Sequence, residues 1–224
     1  MKIRNYAFAA AGIAMVATFA QAGISNVSGP GNLITNTADM KYVADAYQDL
    51  TAKVNYWTER ENYTLTQDLV VSILAPGSFP TTFTTHAGNE NSKILSGTQI
   101  ASYYMYFDPK TSTGVNARFK FDNNILGIVT NERTTAANDH FMLSDYLIDA
   151  AVPGANIPGA HFTARGLEIG ANEFIKFHNA KEIEIDWNAS SPGDQIRVIT
   201  AVPEPASMAA LAIGAVAMLR RRRK

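Results

Sequence analysis

Residues 182–187 read Glu182-Ile183-Glu184-Ile185-Asp186-Trp187. Acidic and apolar side chains alternate without a break. Successive side chains of a strand point to opposite faces, so Ile183, Ile185 and Trp187 go inward and the three acids go outward. The same alternation occurs in Asn116-Ala117-Arg118-Phe119-Lys120-Phe121, with Ala117, Phe119 and Phe121 on one face. Strands that are half buried and half wet predict antiparallel sheets with one face on a core.

Outward from these two runs the chain continues in the same way. Candidate strands are Leu69–Leu74, Ser102–Phe107, Val115–Phe121, Leu126–Thr130, Lys181–Trp187 and Gln195–Thr200. They are rich in Val, Ile, Tyr and Phe. Turn clusters separate them, among them Ala75-Pro76-Gly77, Asp108-Pro109-Lys110 and Ser191-Pro192-Gly193-Asp194. Another alternating run starts at Lys53-Val54-Asn55-Tyr56-Trp57-Thr58-Glu59. Residues 38–55 read two ways, because Ala38, Tyr42, Ala46 and Leu50 also fit a helical face that Thr37 is placed to cap. Met142–Ile148 reads as a short helical turn after Asp139, and residues 23–37 as a loose lead-in with at most a short strand. No repeat of fixed period is visible, which argues against a solenoid or propeller. The expected fold is all-β: an antiparallel, jelly-roll-like β-sandwich over residues 23–201 with one or two short helices.

Both ends of the chain depart from this pattern. Lys2 and Arg4 precede an almost wholly apolar run, Ala7–Ala20, and Ala20-Gln21-Ala22 offers a small-x-small site. These are the parts of a secretory signal peptide, a helix over residues 1–22 cut after Ala22. Residues 1–22 hold no twin-Arg pair, which favours the general secretory route. At the other end Ala206–Leu219 is a second run of small and apolar residues, followed by Arg220, Arg221, Arg222, Arg223 and Lys224. As a helix its 14 residues extend about 21 Å, against a hydrocarbon core of about 30 Å. Such a transmembrane helix spans only marginally, helped by snorkelling cations and local bilayer thinning. The cations place this end inside and residues 23–201 outside.

Immediately before that run stands Val202-Pro203-Glu204-Pro205. Two prolines hold the backbone extended and keep it out of helix and sheet, as a processing enzyme needs its substrate. The order of Pro-Glu-Pro, short membrane stretch and basic cluster resembles the PEP-CTERM sorting signal, a motif that also carries an ice-binding protein C-terminal domain label. The resemblance covers residues 202–224. It implies recognition by exosortase, a multi-pass membrane protease/transpeptidase. Pro203, Glu204 and Pro205 would be the recognition triplet, Ala206–Leu219 the temporary anchor and Arg220–Lys224 the stop. The blocks SYYMYFDP (102–109), FKFDNNILGIVT (119–130), LSDYL (143–147), RGLE (165–168) and GDQIRVIT (193–200) also resemble blocks of other exported proteins with this tail. That likeness implies one domain of about 150 to 180 residues and names no reaction.

Composition narrows the function further. The terminal segments hold seven of the 19 basic residues, which leaves residues 23–201 with 12 basic against 19 acidic and a net charge of −7. An acidic domain repels phosphate backbones, so nucleic acid is not an expected partner. The chain has no Cys, which excludes a thiol nucleophile, a disulfide scaffold and a Cys-ligated metal. His86, His140, His161 and His178 form no i,i+2 or i,i+4 metal pair. Neither a Gly-x-Ser-x-Gly elbow nor a Walker or dinucleotide glycine pattern occurs. Glu168, Glu173, Glu182, Glu184 and Asp186 are the acids to weigh for glycosidase chemistry, but the last three read as a solvated sheet face. Asp122-Asn123-Asn124 gathers three oxygen side chains between strands; a calcium site needs about six to eight oxygens, and Asn-Asn is also ordinary turn chemistry. Tyr104 and Tyr106 share one strand face, while Tyr103, Met105 and Phe107 share the other. A core on both sides is favoured over a wet tyrosine platform that stacks on sugars.

The expectation is thus a non-enzymatic exported protein without metal or cofactor, structural or adhesive at a cell surface or in a matrix. Its partners would be the secretion machinery, signal peptidase, exosortase and, transiently, the inner membrane, with extracellular polysaccharide as a further candidate. The rivals are a carbohydrate-binding module or lectin, then a glycan-processing enzyme, and an ice-binding protein, for which Thr81-Thr82-Phe83-Thr84-Thr85 is a short threonine run.

Overall fold

The alternation of the two opening runs is realised in adjacent strands of one sheet. The computed structural model describes residues 23–35, 52–84, 92–130, 140–148, 166–167, 173–189 and 193–202. In chain order the strands are β1 (Ile24–Ser28), β2 (Gly31–Leu33), β3 (Val54–Thr64), β4 (Leu69–Val70), β5 (Ile73–Leu74), β6 (Thr81–Phe83) and β7 (Lys93–Ile94). After them come β8 (Gln99–Phe107), β9 (Thr113–Phe121) and β10 (Ile125–Val129). Helix α1 (His140–Ser144) follows and runs into a 3-10 turn, Asp145–Leu147. The last strands are β11 (Phe174–Asn179), β12 (Glu182–Ala189) and β13 (Asp194–Ala201).

A five-stranded sheet has the order β1-β9-β12-β11-β6, and a six-stranded sheet the order β2-β3-β8-β13-β10-β5. Neither order closes on itself. A two-stranded ribbon, β4-β7, completes the described strands. Pairing is antiparallel throughout, except that β2 runs parallel to β3.

The inner faces of the two large sheets share one core. Ala117, Phe119 and Phe121 of β9 and Ile183, Ile185 and Trp187 of β12 enter it from one side. Val54, Tyr56, Tyr103, Met105, Phe107, Ile196 and Val198 enter from the other. Tyr56 meets Phe119 edge to face, and Tyr103 packs on Phe121, both with ring centres 5.1 Å apart.

The six-stranded sheet is covered on its other face as well. Trp57, Ile100, Tyr104, Tyr106 and Ile199 pack there under Leu65, Leu69, Val71, Ile94, Phe141 and Leu147. A strand with two apolar neighbours has no reason to alternate, which explains the unbroken run SYYMYF in β8. Tyr103 through Phe107 are all buried, as the two-sided reading requires.

Several local features differ from the sequence reading: the lead-in forms two strands, β1 and β2, and the short strands β6 and β7 fall outside the candidate runs. The single run expected at Leu69–Leu74 is two strands in different sheets. The chain switches at Val71-Ser72, where Val71 N–H donates to Ser92 O at 3.0 Å and Ser72 N–H to Ile128 O at 2.9 Å. Strand β11 was not expected, although Ile175 and Phe177 point inward while Lys176 and His178 point out. The helical turn of Met142–Ile148 is present as α1 and its 3-10 continuation, and β3 takes over near Lys53 as the alternation implies. The helical reading of residues 38–51 lies outside the described residues.

Candidate functional site

The turn Asp122-Asn123-Asn124, weighed above for calcium, joins β9 to β10. Asp122 and the Asn124 carbonyl are already engaged. Gly23 N–H donates to Asp122 Oδ2 at 2.9 Å, and Asp122 N–H returns a bond to Gly23 O at 3.0 Å. The ammonium of Lys181 donates to the Asp122 carbonyl at 2.6 Å. Asn124 O accepts Ala201 N–H at 2.8 Å. Asp122 and Asn124 therefore hold the first described residue and the end of the last strand. Among the described residues no group of three or more His, Asp or Glu is placed to hold a metal ion.

The outer face of the five-stranded sheet carries the acids of the opening run. Register sets Glu182 opposite Lys120, Glu184 opposite Arg118 and Asp186 opposite Asn116. Arg118 reaches diagonally to Glu182, with Nε 2.5 Å from Oε1. His178 Nε2 lies 2.7 Å from Glu184 Oε2, and Asn116 donates to Glu184 Oε1 at 3.0 Å. Burial pushes the Glu182 carboxyl up, but bonds from Arg118 and Asn179 and the charges of Arg118 and His178 outweigh it and hold it below the usual range. The Asn116 bond leads in lowering Glu184; burial opposes it and His178 adds to it. A general acid needs a raised carboxyl, so these two groups are shifted in the opposite sense. Glu173 is buried beside this face, its Oε1 accepting Asn188 N–H at 3.1 Å.

Beneath α1 lies a polar cluster that the sequence reading missed. Arg197, on β13, and Glu59, on β3, have fully buried side chains and form a two-pronged pair: Nε to Oε2 at 2.7 Å and Nη2 to Oε1 at 2.9 Å. Ser102 Oγ donates to Glu59 Oε2 at 2.6 Å. Arg197 also donates to Ser144 Oγ, and its Nη2 lies 3.6 Å from Asp145 Oδ1. Its guanidinium carbon stands 5.5 Å from the Tyr104 ring centre and 5.7 Å from that of Phe141. Burial alone would lower the Arg197 pKa. The Glu59 charge and bonds, with Asp145 and Tyr104, raise it instead, so the cation is locked in.

Further bonds pin the same segment. Arg60 donates from Nε to Leu147 O at 2.9 Å and from Nη2 to Ile148 O at 2.7 Å. At its start His140 Nδ1 lies 2.9 Å from Ser72 Oγ, which also accepts Thr130 N–H at 3.0 Å. This closed arrangement is a clamp that fastens residues 140–148 over the six-stranded sheet. One signal for it was legible: Arg197 interrupts an apolar run, Ile196 to Ile199, and a buried strand admits a cation only with a partner.

An open hollow of 490 Å³ runs along Thr58–Thr64 of β3. Its lining is polar there because the strand is irregular: register shifts fall between Thr58 and Arg60 and between Arg60 and Tyr63, and Asn62 has φ 51°. Tyr104 and Tyr106 are buried and form no wet platform for sugars.

Ala20, Ala22, Pro203, Glu204, Pro205, the anchor Ala206–Leu219 and the stop Arg220–Lys224 lie outside the described residues, as do His86, His161 and Glu168. Among the described residues no helix is long and apolar enough to cross a membrane. The last described contact is Val202 N–H to Gln99 O, at 3.4 Å. Residues 201–224 match the family model of the PEP-CTERM protein-sorting motif. Comparison with curated proteins and with solved structures gives no match.

Proposed function

We propose that this chain is an exported protein that is delivered through its C-terminal signal and then serves as a structural or adhesive component of a cell surface or extracellular matrix. One observation carries the reading: the sorting-motif match over residues 201–224 begins where strand β13 ends, at Ala201. The chain passes from folded domain to signal with no spacer. Two prolines in Pro203-Glu204-Pro205 disfavour helix and sheet, as suits a substrate of an exosortase. Ala206–Leu219 serves as a brief anchor and Arg220–Lys224 holds it on the inner side. At the front, signal peptidase would cut after Ala22.

The domain itself is best read as an antiparallel β-sandwich with jelly-roll-like wiring. Support comes from the two large sheets that share one core and from consecutive strands, such as β1 and β2 or β5 and β6, that alternate between them. Among the described residues, Glu182 and Glu184 of the outer face are held below the usual carboxyl range, which suits a passive component better than a hydrolase.

Glu204→Ala tests the sorting step. In a host that supplies the exosortase, the variant should stay in the membrane fraction at its longer length, while the parent protein is shortened and leaves it. Identical fractionation and mass for the two proteins would sink the proposal.

A further inference from the structure

We infer that signal-peptide removal between Ala22 and Gly23 creates an ammonium group for which the fold holds a prepared receptor, the carboxylate of Asp122. This rests on the export reading above and extends it from a cleavage motif to a docking site.

Gly23 N already lies 2.9 Å from Asp122 Oδ2. The return bond from Asp122 N–H to Gly23 O, at 3.0 Å, fixes that geometry from a second side. A Cβ at position 23 would stand 2.6 Å from Asp122 Oδ2 and 3.3 Å from its carboxyl carbon, so the carboxylate would have to swing aside and leave the nitrogen. Glycine is what lets the backbone nitrogen approach the carboxylate head on. Immediately after it, β1 pairs with β9, Ile24 opposite Phe121. The contact is therefore the first fastening of an edge strand that is largely exposed.

Hydrolysis breaks the bond between the Ala22 carbonyl carbon and Gly23 N. Water gives its hydroxyl to Ala22 and a proton to Gly23 N, and the amine takes a second proton from solvent at neutral pH. A neutral amide donor becomes a cation, so a hydrogen bond that the carboxylate already accepts gains the attraction of an ion pair. Cleavage thereby tightens the edge strand. Other charged groups are near: Lys120 and Arg118 on β9, Lys181 in the β11–β12 turn and Glu182 on β12. Lys181 is committed to the Asp122 carbonyl and Glu182 to Arg118. The cations oppose the docked ammonium, and the Asp122 carboxylate is the group in contact with it.

The test uses the full chain, exported by a bacterial host through the general secretory route. N-terminal sequencing of the recovered protein should give Gly23 as its first residue. The α-amine is then labelled by reductive methylation across a pH series, in the folded protein and in denaturant, and the N-terminal peptide is followed by mass spectrometry. An unrestrained α-amine titrates near about pH 8. The folded amine should titrate about one unit higher, so that labelling at pH 7 is about tenfold slower than in denaturant. Folded Asp122→Asn should lose most of that difference; if this variant does not fold, the folded and denatured parent still decide. A mature chain that starts elsewhere overturns the cleavage assignment and the processing reading with it. A Gly23 start with the same titration folded and denatured overturns the docking site alone.

Discussion

At the scale of single residues, Arg197 and Glu59 are the most consequential pair in the described structure. Both side chains are fully enclosed. Ions taken from water lose several kcal/mol each, and a two-pronged bond with added hydroxyl donors offsets that loss. Removing one partner leaves the other charged and dry. Glu59→Gln should therefore lower unfolding free energy by about 3–5 kcal/mol, read as a shift in the urea midpoint at constant slope. The double replacement Glu59→Leu with Arg197→Met should recover most of the loss, since apolar residues of similar volume often substitute for a buried pair without penalty. If the single variant unfolds at the parent midpoint, the clamp contributes nothing. Because Ser144 and Asp145 belong to the network, the same substitution should loosen residues 140–148 first in hydrogen exchange.

Among the elements, β9 and β12 show how sequence and environment agree. One face is dry and the other wet, so the alternation of residues 116–121 and 182–187 states both the strand and its orientation. The outer row also has an acid-sensitive consequence. Glu182 and Glu184 sit below the ordinary carboxyl value of 4.5 when folded. A carboxyl that is lowered on folding contributes stability fully above its unfolded pKa, and loses it as pH falls through the folded value. Stability should therefore decline as pH drops below about 4.5, and Glu184→Gln should flatten part of that decline in urea titrations at successive pH values. A parallel decline in variant and parent would exclude Glu184 from the effect. Elsewhere the sequence was less legible, for physical reasons. Strands β2, β4, β5, β6 and β7 have two or three residues each, too few to carry a period. They exist because a neighbour offers an edge. The switch at Val71-Ser72 is dictated by Ser92 and Ile128, which are distant in the chain. The cover over the second face of β8 was implied by five successive aromatic or apolar residues, Tyr103–Phe107, but nothing local told which segment would supply it. Strand β11 did follow the period-two rule, and Lys176 and His178 between Ile175 and Phe177 were its signal. The receptor at Asp122 was half legible: the cleavage motif and the acid were both visible, and only the fold brings residues 23 and 122 together.

For the whole molecule, the first described residue and the end of the last strand meet on one turn. Asp122 holds Gly23 and Asn124 holds Ala201. A domain whose two ends emerge side by side can complete its fold while both are still tethered to one bilayer. After sorting, the C-terminal end of the domain would be its attachment to its surroundings, and this gives the position of β13 a mechanical meaning. That strand lies between β8 and β10, paired over eight positions on one flank and four on the other. Tension on Val202 runs along its axis, so the bonds of both flanks share the load in shear. By contrast, β1 is an edge strand with a single flank of four positions. Pulled against a handle at Lys110, beyond the opposite end of β8, the molecule should give way at distinctly higher force from Val202 than from Gly23. Single-molecule stretching from the two points decides this, because rupture follows the unfolding rate and not the equilibrium stability; equal forces would show that β13 carries no special load. A component fixed to a surface by its most embedded strand is tethered where it is hardest to tear.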